Sequence, residues 1–306
     1  LDLAIKKHMY RIVDDYIDAE DLNALLKLFI TDKEQETSVW GQITITTHRM
    51  LGGSSADMER IAAATELMVL TLDIIDDLQD RDQSDKPWIR CPEGYTLNAV
   101  LAMIMGFVGE LGKVGLPASA FAAISRIVTR AVNGQQKDMN DSVATGDDYV
   151  SMVQEKSGSV FRLACYMGCA SLTCSEATLA QLQELADCIG LLHQIQNDIR
   201  DVVRFDVKSD VLGKKRTLPV LYLLAIEDAA FAPIQDYYAG RITADMLLAQ
   251  QEELVRTIEN SGCMEYARVV QSVCVQKAEE IYGSLPAAAP WKEQFKELTF
   301  GSFCED

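Results

Sequence analysis

A chain of 306 residues that is 48% apolar has enough material for a sizeable core, in one large domain or two smaller ones. Only 7 Pro and 18 Gly interrupt a sequence rich in Ala, Leu, Glu and Gln, which favours helix over sheet and argues against disorder. A formal charge of −18 excludes nucleic acid or an anionic membrane surface as the main partner, since a field of that sign repels both.

The first stretch, LDLAIKKHMYRIVDDY, is amphipathic at helical spacing and unlike a secretion signal. Asp57 followed by Arg60 marks a modest helix start, and the run from Met58 to Asp80 is too apolar for a surface helix. A central core helix is expected there. At its end Asp73, Asp76, Asp77 and Asp80 share one face by the i, i+3, i+4, i+7 rule, with only Arg81 nearby to offset them. Punctuation comes next at 85–95 and 114–117. Between them LAMIMGF (101–107) suits a core or the lining of an apolar pocket equally well. Cys165 and Cys169 read as buried thiols, and the eight Cys show neither a CxxC pair nor a regular framework, which points to a reducing cytoplasm. Residues 176–206 form a second long helix of core character. Near its end Gln194, Asn197, Asp198 and Asp201 again share a face, while His193 reads as a packed side chain. About ten helices are expected in a single domain over 1–306, with no repeat, no strand pair and no uninterrupted apolar run of the ~18 residues that span a bilayer.

An isolated acidic helix end is normally a solvated face that needs no ligand. Two of them on core helices change the balance. If the helices meet with these ends together, hard oxygen donors face one another, which suits Mg²⁺ carrying a substrate diphosphate. Lys156 in QEKSGSVFRLA and the Lys214, Lys215, Arg216 run in LGKKRTLP are then available for phosphate oxygens, though each alone reads equally well as surface charge.

Taken together these stretches resemble the class I trans-prenyltransferase superfamily, the all-α fold of polyprenyl diphosphate synthases. ELMVLTLDIIDDLQD is similar to its first aspartate-rich motif, with Asp76, Asp77 and Asp80 in the three aspartate positions. NGQQKDM is similar to its GQxxD element, EKSGSVF to a KTxxL-like element containing Lys156, and QIQNDIRD to its second aspartate-rich motif. SDVLGKKRTLP is similar to DLxxGKxTLP, which puts Lys215 at the family's diphosphate lysine. The resemblance implies a single-domain isoprenoid synthase helical bundle around a central cavity, and a catalytic set of Asp76, Asp77, Asp80, Lys156, Asp198 and Lys215. It implies three Mg²⁺ ions on Asp76, Asp77, Asp80, Asn197, Asp198 and Asp201, with an allylic prenyl diphosphate held through Gln194, Lys156 and Lys215. Thr71 and Leu72 then face the floor that sets chain length. Neither is aromatic, which leaves room for a chain of ~15 carbons or more. The family is usually homodimeric.

The departures from the family pattern bear on the acceptor. Chain-elongating members hold isopentenyl diphosphate with a GKR element before the first motif's helix, a His near its middle and an Arg-Arg pair after the motif. Here ETSVWGQI, Val69 and DKPW stand in those places, and a second diphosphate finds little positive charge. The second motif begins Asn-Asp, and Asn197 can still ligate a metal through its carbonyl. NDIRDVVRFD is partly similar to the metal triad of terpene cyclases, but Phe205 stands where the Glu belongs. Within the superfamily the sequence resembles the pheromone-maturation transferases of Gram-positive bacteria, which attach farnesyl or geranyl groups to tryptophan in a quorum-sensing peptide. The expectation is therefore a cytoplasmic, Mg²⁺-dependent transferase that ionises an allylic diphosphate and alkylates a small peptide acceptor. A chain-elongating synthase is the alternative, followed by a terpene cyclase and a non-catalytic regulatory subunit.

Overall fold

The computed structural model describes residues 1–34, 38–80, 85–140, 142–206 and 209–304; Arg81 and the first two residues of ETSVWGQI lie outside the described residues. Among them the chain forms fifteen α-helices and two short 3₁₀ turns, without a strand. In order the helices are α1 (Leu3–Tyr16), α2 (Glu20–Glu34), α3 (Trp40–Met50), α4 (Met58–Asp80), α5 (Pro87–Arg90), α6 (Glu93–Lys113), α7 (Ala118–Met139) and α8 (Gly146–Cys169). They continue with α9 (Glu176–Asp201), α10 (Leu218–Ala225), α11 (Ala232–Tyr238), α12 (Ala244–Leu248), α13 (Gln251–Glu259), α14 (Cys263–Ser284) and α15 (Trp291–Thr299). The excess over ten comes mostly from short helices late in the chain. Gly240 and Gly262 turn the backbone there at φ 71° and 85°, values glycine adopts without cost.

Two compact units emerge, each drawn from separated stretches of chain. The first contains Leu1–Thr129, Val160–Ala186 and the residues from Ser284 onward. In it α4 packs against α1, α3 and α6. Its middle presents Ala62, Ala63 and Ala64 followed by Leu67, Met68, Val69, Leu70 and Ile74, all buried. Each large side chain so buried contributes ~2 kcal/mol, so burial rather than propensity sets the place of α4. The start of α4 departs from the expected cap. Asp57 accepts the Arg60 and Ile61 N–H groups through its carbonyl, while its carboxylate pairs with the Arg60 guanidinium at 3.2 Å. On α5, Trp88 is buried and meets Phe29 edge-on at 5.6 Å.

Helix α6 modifies one expectation, because by length and composition it is apolar enough to cross a membrane. One side packs against α1, α2 and α4; the other leaves Leu97, Leu101 and Met105 exposed.

The second unit contains Arg130–Ser159 and Asp187–Gly283. Val202, Val220, Leu223, Ile234, Leu254 and Ile258 belong to its core. Where the end of α7 and the middle of α9 flank the middle of α8, the backbones come very close. A Cβ on Gly190 would lie 2.5 Å from the Gly158 nitrogen, and one on Gly134 would collide with the Lys156 backbone. A capping box starts α8: the Thr145 hydroxyl accepts the Asp148 N–H at 3.1 Å, and the Asp148 carboxylate accepts the Thr145 N–H at 3.0 Å. One turn further on stands Tyr149.

Candidate active site

Both acidic stripes fall at helix C-termini, the end whose backbone dipole disfavours negative charge. In the last turn of α4 there is no basic residue. Asp76, Asp77 and Asp80 are half-buried there. Asp73 accepts from Lys33 Nζ at 2.8 Å, and Asp77 Oδ2 accepts from Trp88 Nε1 at 2.7 Å. Thr71 is fully buried, and its hydroxyl donates back to the Leu67 carbonyl at 2.7 Å; Leu72 is half-buried. Further up the same helix the buried Glu66 accepts from the Ser38 hydroxyl at 2.5 Å and from the Gly41 N–H at 2.8 Å. Burial raises its pKa, and those two hydrogen bonds only partly offset that. The stretch ETSVWGQI thus supplies donors to a buried acid, which no motif in the sequence signals.

On α9 the arrangement centres on Asp198, which is 2% exposed. Its Oδ2 accepts from the Tyr149 hydroxyl at 2.5 Å and its Oδ1 from Gln194 Nε2 at 2.9 Å. Ser157 donates to the Gln194 carbonyl at 3.0 Å, which fixes the amide orientation and completes a chain of polar groups into the carboxyl. Burial pushes the Asp198 pKa up to about 6 despite both hydrogen bonds and the opposing Lys215 charge. Burial and the same carboxylate raise the Tyr149 phenol above its ordinary value, so it stays a donor. Asp210 is raised as well, by burial and then by Asp198. Lys156 Nζ meets Asp138 at 2.8 Å. The Lys215 charge favours ionisation of both Asp198 and Asp210.

The predicted face on α9 is therefore only partly shared. Gln194 and Asp198 come together, Asn197 is exposed, and Asp201 engages Arg200 at 2.8 Å and Arg204 at 3.3 Å. Tyr149, Asp138 and Asp210 join the site without having been singled out as site residues. Asp138 lies in the GQxxD-like element and Asp210 in SDVLGKKRTLP. Two cavities of about 540 and 550 Å³ are lined by residues such as Arg216, Gln235 and Tyr238, or Tyr222, Phe231 and Arg256, and involve none of the stripe residues.

Among the described residues no three His, Cys, Asp or Glu side chains form a ready-made metal group. The donor types nevertheless fit a hard cation. Asp76, Asp77, Asp80, Asn197, Asp198 and Asp201 offer only carboxylate and amide oxygens, and a cation beside Asp198 would relieve the burial that holds its proton.

An all-α helical bundle with these aspartate-bearing helix ends is the architecture of isoprenoid synthases. The chain belongs to the polyprenyl synthetase family, whose pattern it matches over residues 38–246. It is a prenyl-transferring enzyme of that superfamily. It is similar to the tryptophan prenyltransferase ComQ of Bacillus subtilis (strain 168), 26% identical over 94% of this chain and 95% of ComQ. It is also similar to the short chain isoprenyl diphosphate synthase of Methanocaldococcus jannaschii, 28% identical over 61% of this chain and 62% of the synthase. Among solved structures, a polyprenyl synthase from Caulobacter crescentus CB15 complexed with calcium and isoprenyl diphosphate shares the fold. The TM-score is 0.82 at 18% identity, over 96% of this chain and 93% of that one.

Proposed function

We propose that the protein is a Mg²⁺-dependent transferase that takes the prenyl group from an allylic diphosphate, with Mg²⁺ held by Asp76, Asp77, Asp80, Asn197, Asp198 and Asp201. The observation that carries this reading is the excess of oxygen donors at two helix C-termini, with Asp198 buried and holding its proton up to about pH 6. Bound Mg²⁺ supplies the positive charge that stabilises the departing diphosphate. Tyr149 and Gln194 hold the Asp198 carboxyl in one orientation, so no reorganisation is needed as charge develops. Lys156 and Lys215 donate to diphosphate oxygens. The allylic C–O bond breaks, the acceptor's π electrons form the new C–C bond, and the proton lost from the acceptor passes to the released diphosphate.

The acceptor is the finer question. Reading the sequence alone places a peptide tryptophan first; the comparisons reverse that order. The family is that of polyprenyl synthetases, and several relatives, such as the Methanocaldococcus synthase, carry synthase names, so isopentenyl diphosphate and chain elongation now lead. Two observations keep tryptophan as the second reading. The ComQ relatives match nearly the whole chain, and ETSVWGQI, in place of a basic element, donates to the anionic-type side chain Glu66. The deciding assay offers the enzyme Mg²⁺, farnesyl diphosphate, labelled isopentenyl diphosphate and a tryptophan-containing peptide together. Elongation with kcat/KM near ~10⁴ M⁻¹s⁻¹ supports the synthase. A mass gain of one farnesyl unit on the tryptophan fragment, with no elongation, supports the second reading. Turnover that persists unchanged in EDTA would overturn both.

A further inference from the structure

The loop from Ser209 to Thr217 carries Lys215, and its conformation is an awkward one. Lys214 adopts φ +53°, the one non-glycine at positive φ among the described residues, in a region that side chains with a Cβ avoid. Three tight backbone bonds curl the loop: Gly213 N–H to the Ser209 carbonyl at 2.9 Å, Lys214 N–H to Val211 at 3.1 Å, and Lys215 N–H to Asp210 at 2.9 Å. Three loop carbonyls are capped by two consecutive tyrosines at the end of α11. The Tyr237 hydroxyl donates to the Leu212 carbonyl at 2.8 Å. The Tyr238 hydroxyl shares its proton between the Lys215 carbonyl at 2.8 Å and the Asp210 carbonyl at 3.2 Å. The Lys214 ammonium lies 4.6 Å from the centre of the Tyr237 ring, so the strained residue is also held through its side chain.

We propose that Tyr237 and Tyr238 are positioning residues that keep Lys214 in its left-handed conformation and so aim Lys215 at the diphosphate. Neither touches substrate. They act on backbone carbonyls on both sides of the lysine, and the ring over which Lys214 lies diverts that lysine and leaves Lys215 to the site. The inference rests on the proposed role of Lys215 as a diphosphate donor, and the test separates the two.

The measurement is calorimetric binding of Mg²⁺ with inorganic diphosphate to the full chain, alongside thermal unfolding. Tyr238→Phe keeps the ring and removes the shared proton; affinity is expected to fall roughly tenfold, and Tyr237→Phe to cost less, roughly threefold. Adding Lys214→Gly to Tyr238→Phe should recover most of the affinity, because glycine takes a positive φ without help. A purely structural tyrosine would lower the unfolding temperature and leave diphosphate affinity unchanged, which would overturn the proposal; should Tyr238→Phe fail to fold, Tyr237→Phe decides on the same criterion. Lys215→Ala is the control. If it binds diphosphate as wild type does, Lys215 has no such role and the clamp falls with it. If it loses affinity while both phenylalanine variants keep theirs, the clamp alone is wrong.

Discussion

At the end of α4 the carboxylates stand half-buried beside strong donors, Lys33 on Asp73 and Trp88 on Asp77, whereas at the end of α9 Asp198 is sealed from water and held by two neutral groups. The same residue type at the same helix position thus meets two different environments. Solvent reaches the first set, which accepts from an ammonium and an indole N–H. Burial holds a proton on the second up to about pH 6. Desolvation separates the two ends: it acts most strongly on Asp198, and there the proposed cation would gain most from a dry setting.

That contrast breaks most visibly by mutation at its centre. Asp198→Asn keeps the shape and the neutral form but cannot ionise, and turnover of an allylic diphosphate with Mg²⁺ should fall by roughly 10²- to 10³-fold. Asp77→Asn, in the wetter environment, should cost less, about tenfold. Steady-state kinetics at saturating Mg²⁺ checks both, and equal losses in the two variants would show that burial of Asp198 confers no special role.

How far these environments can be read from the chain differs element by element. The helix from Met58 to Asp80 is legible almost to the residue, since a long apolar run with helical spacing has one stable solution. The second long helix ends at Asp201 instead of 206, where Arg204 turns back to pair with Asp201 and Asp206. Spacing groups Asn197 with Asp198, yet neighbours along a helix point about 100° apart, and which of them faces inward is decided by what packs against it. Asn197 ended outside. Tyr149 in DDYVSM and Trp88 in DKPW carry no motif, because a donor that reaches a carboxylate from another helix leaves no local pattern. Short helices such as α12 and α13 vanish in windows long enough to detect periodicity.

The next effect concerns how the α9 end is assembled. Its polar groups meet because Gly134, Gly158 and Gly190 let three helix backbones approach, a device the α4 end does not use. Gly190→Ala places a methyl 2.5 Å from the Gly158 nitrogen, where backbone must move. A loss of roughly 2 to 3 kcal/mol is expected, read as a lower urea midpoint. Gly112→Ala on α6 meets open space and should instead gain up to ~1 kcal/mol. If Gly190→Ala is as stable as wild type, the close approach does not hold the site together.

The smallest effect sharpens the comparison from the other side, since α4 has its own buried acid, Glu66, apart from the aspartates at its C-terminal end. Burial first, opposed by the Gly41 and Ser38 hydrogen bonds, raises its pKa above the ordinary 4.5. A carboxyl whose folded pKa is raised binds its proton more tightly in the native state, so its contribution to stability is fully present below pH 4.5 and is lost as pH rises through the folded value. Glu66→Gln keeps a carbonyl for the Gly41 N–H and removes the titration. Denaturation midpoints of wild type and variant from pH 4 to pH 8 should therefore diverge upward, the glutamine form gaining relative stability as pH increases. A difference that stays flat across this range would mean that Glu66 titrates alike in the folded and unfolded chain, and that burial on α4 does not act on a carboxyl as it does on Asp198.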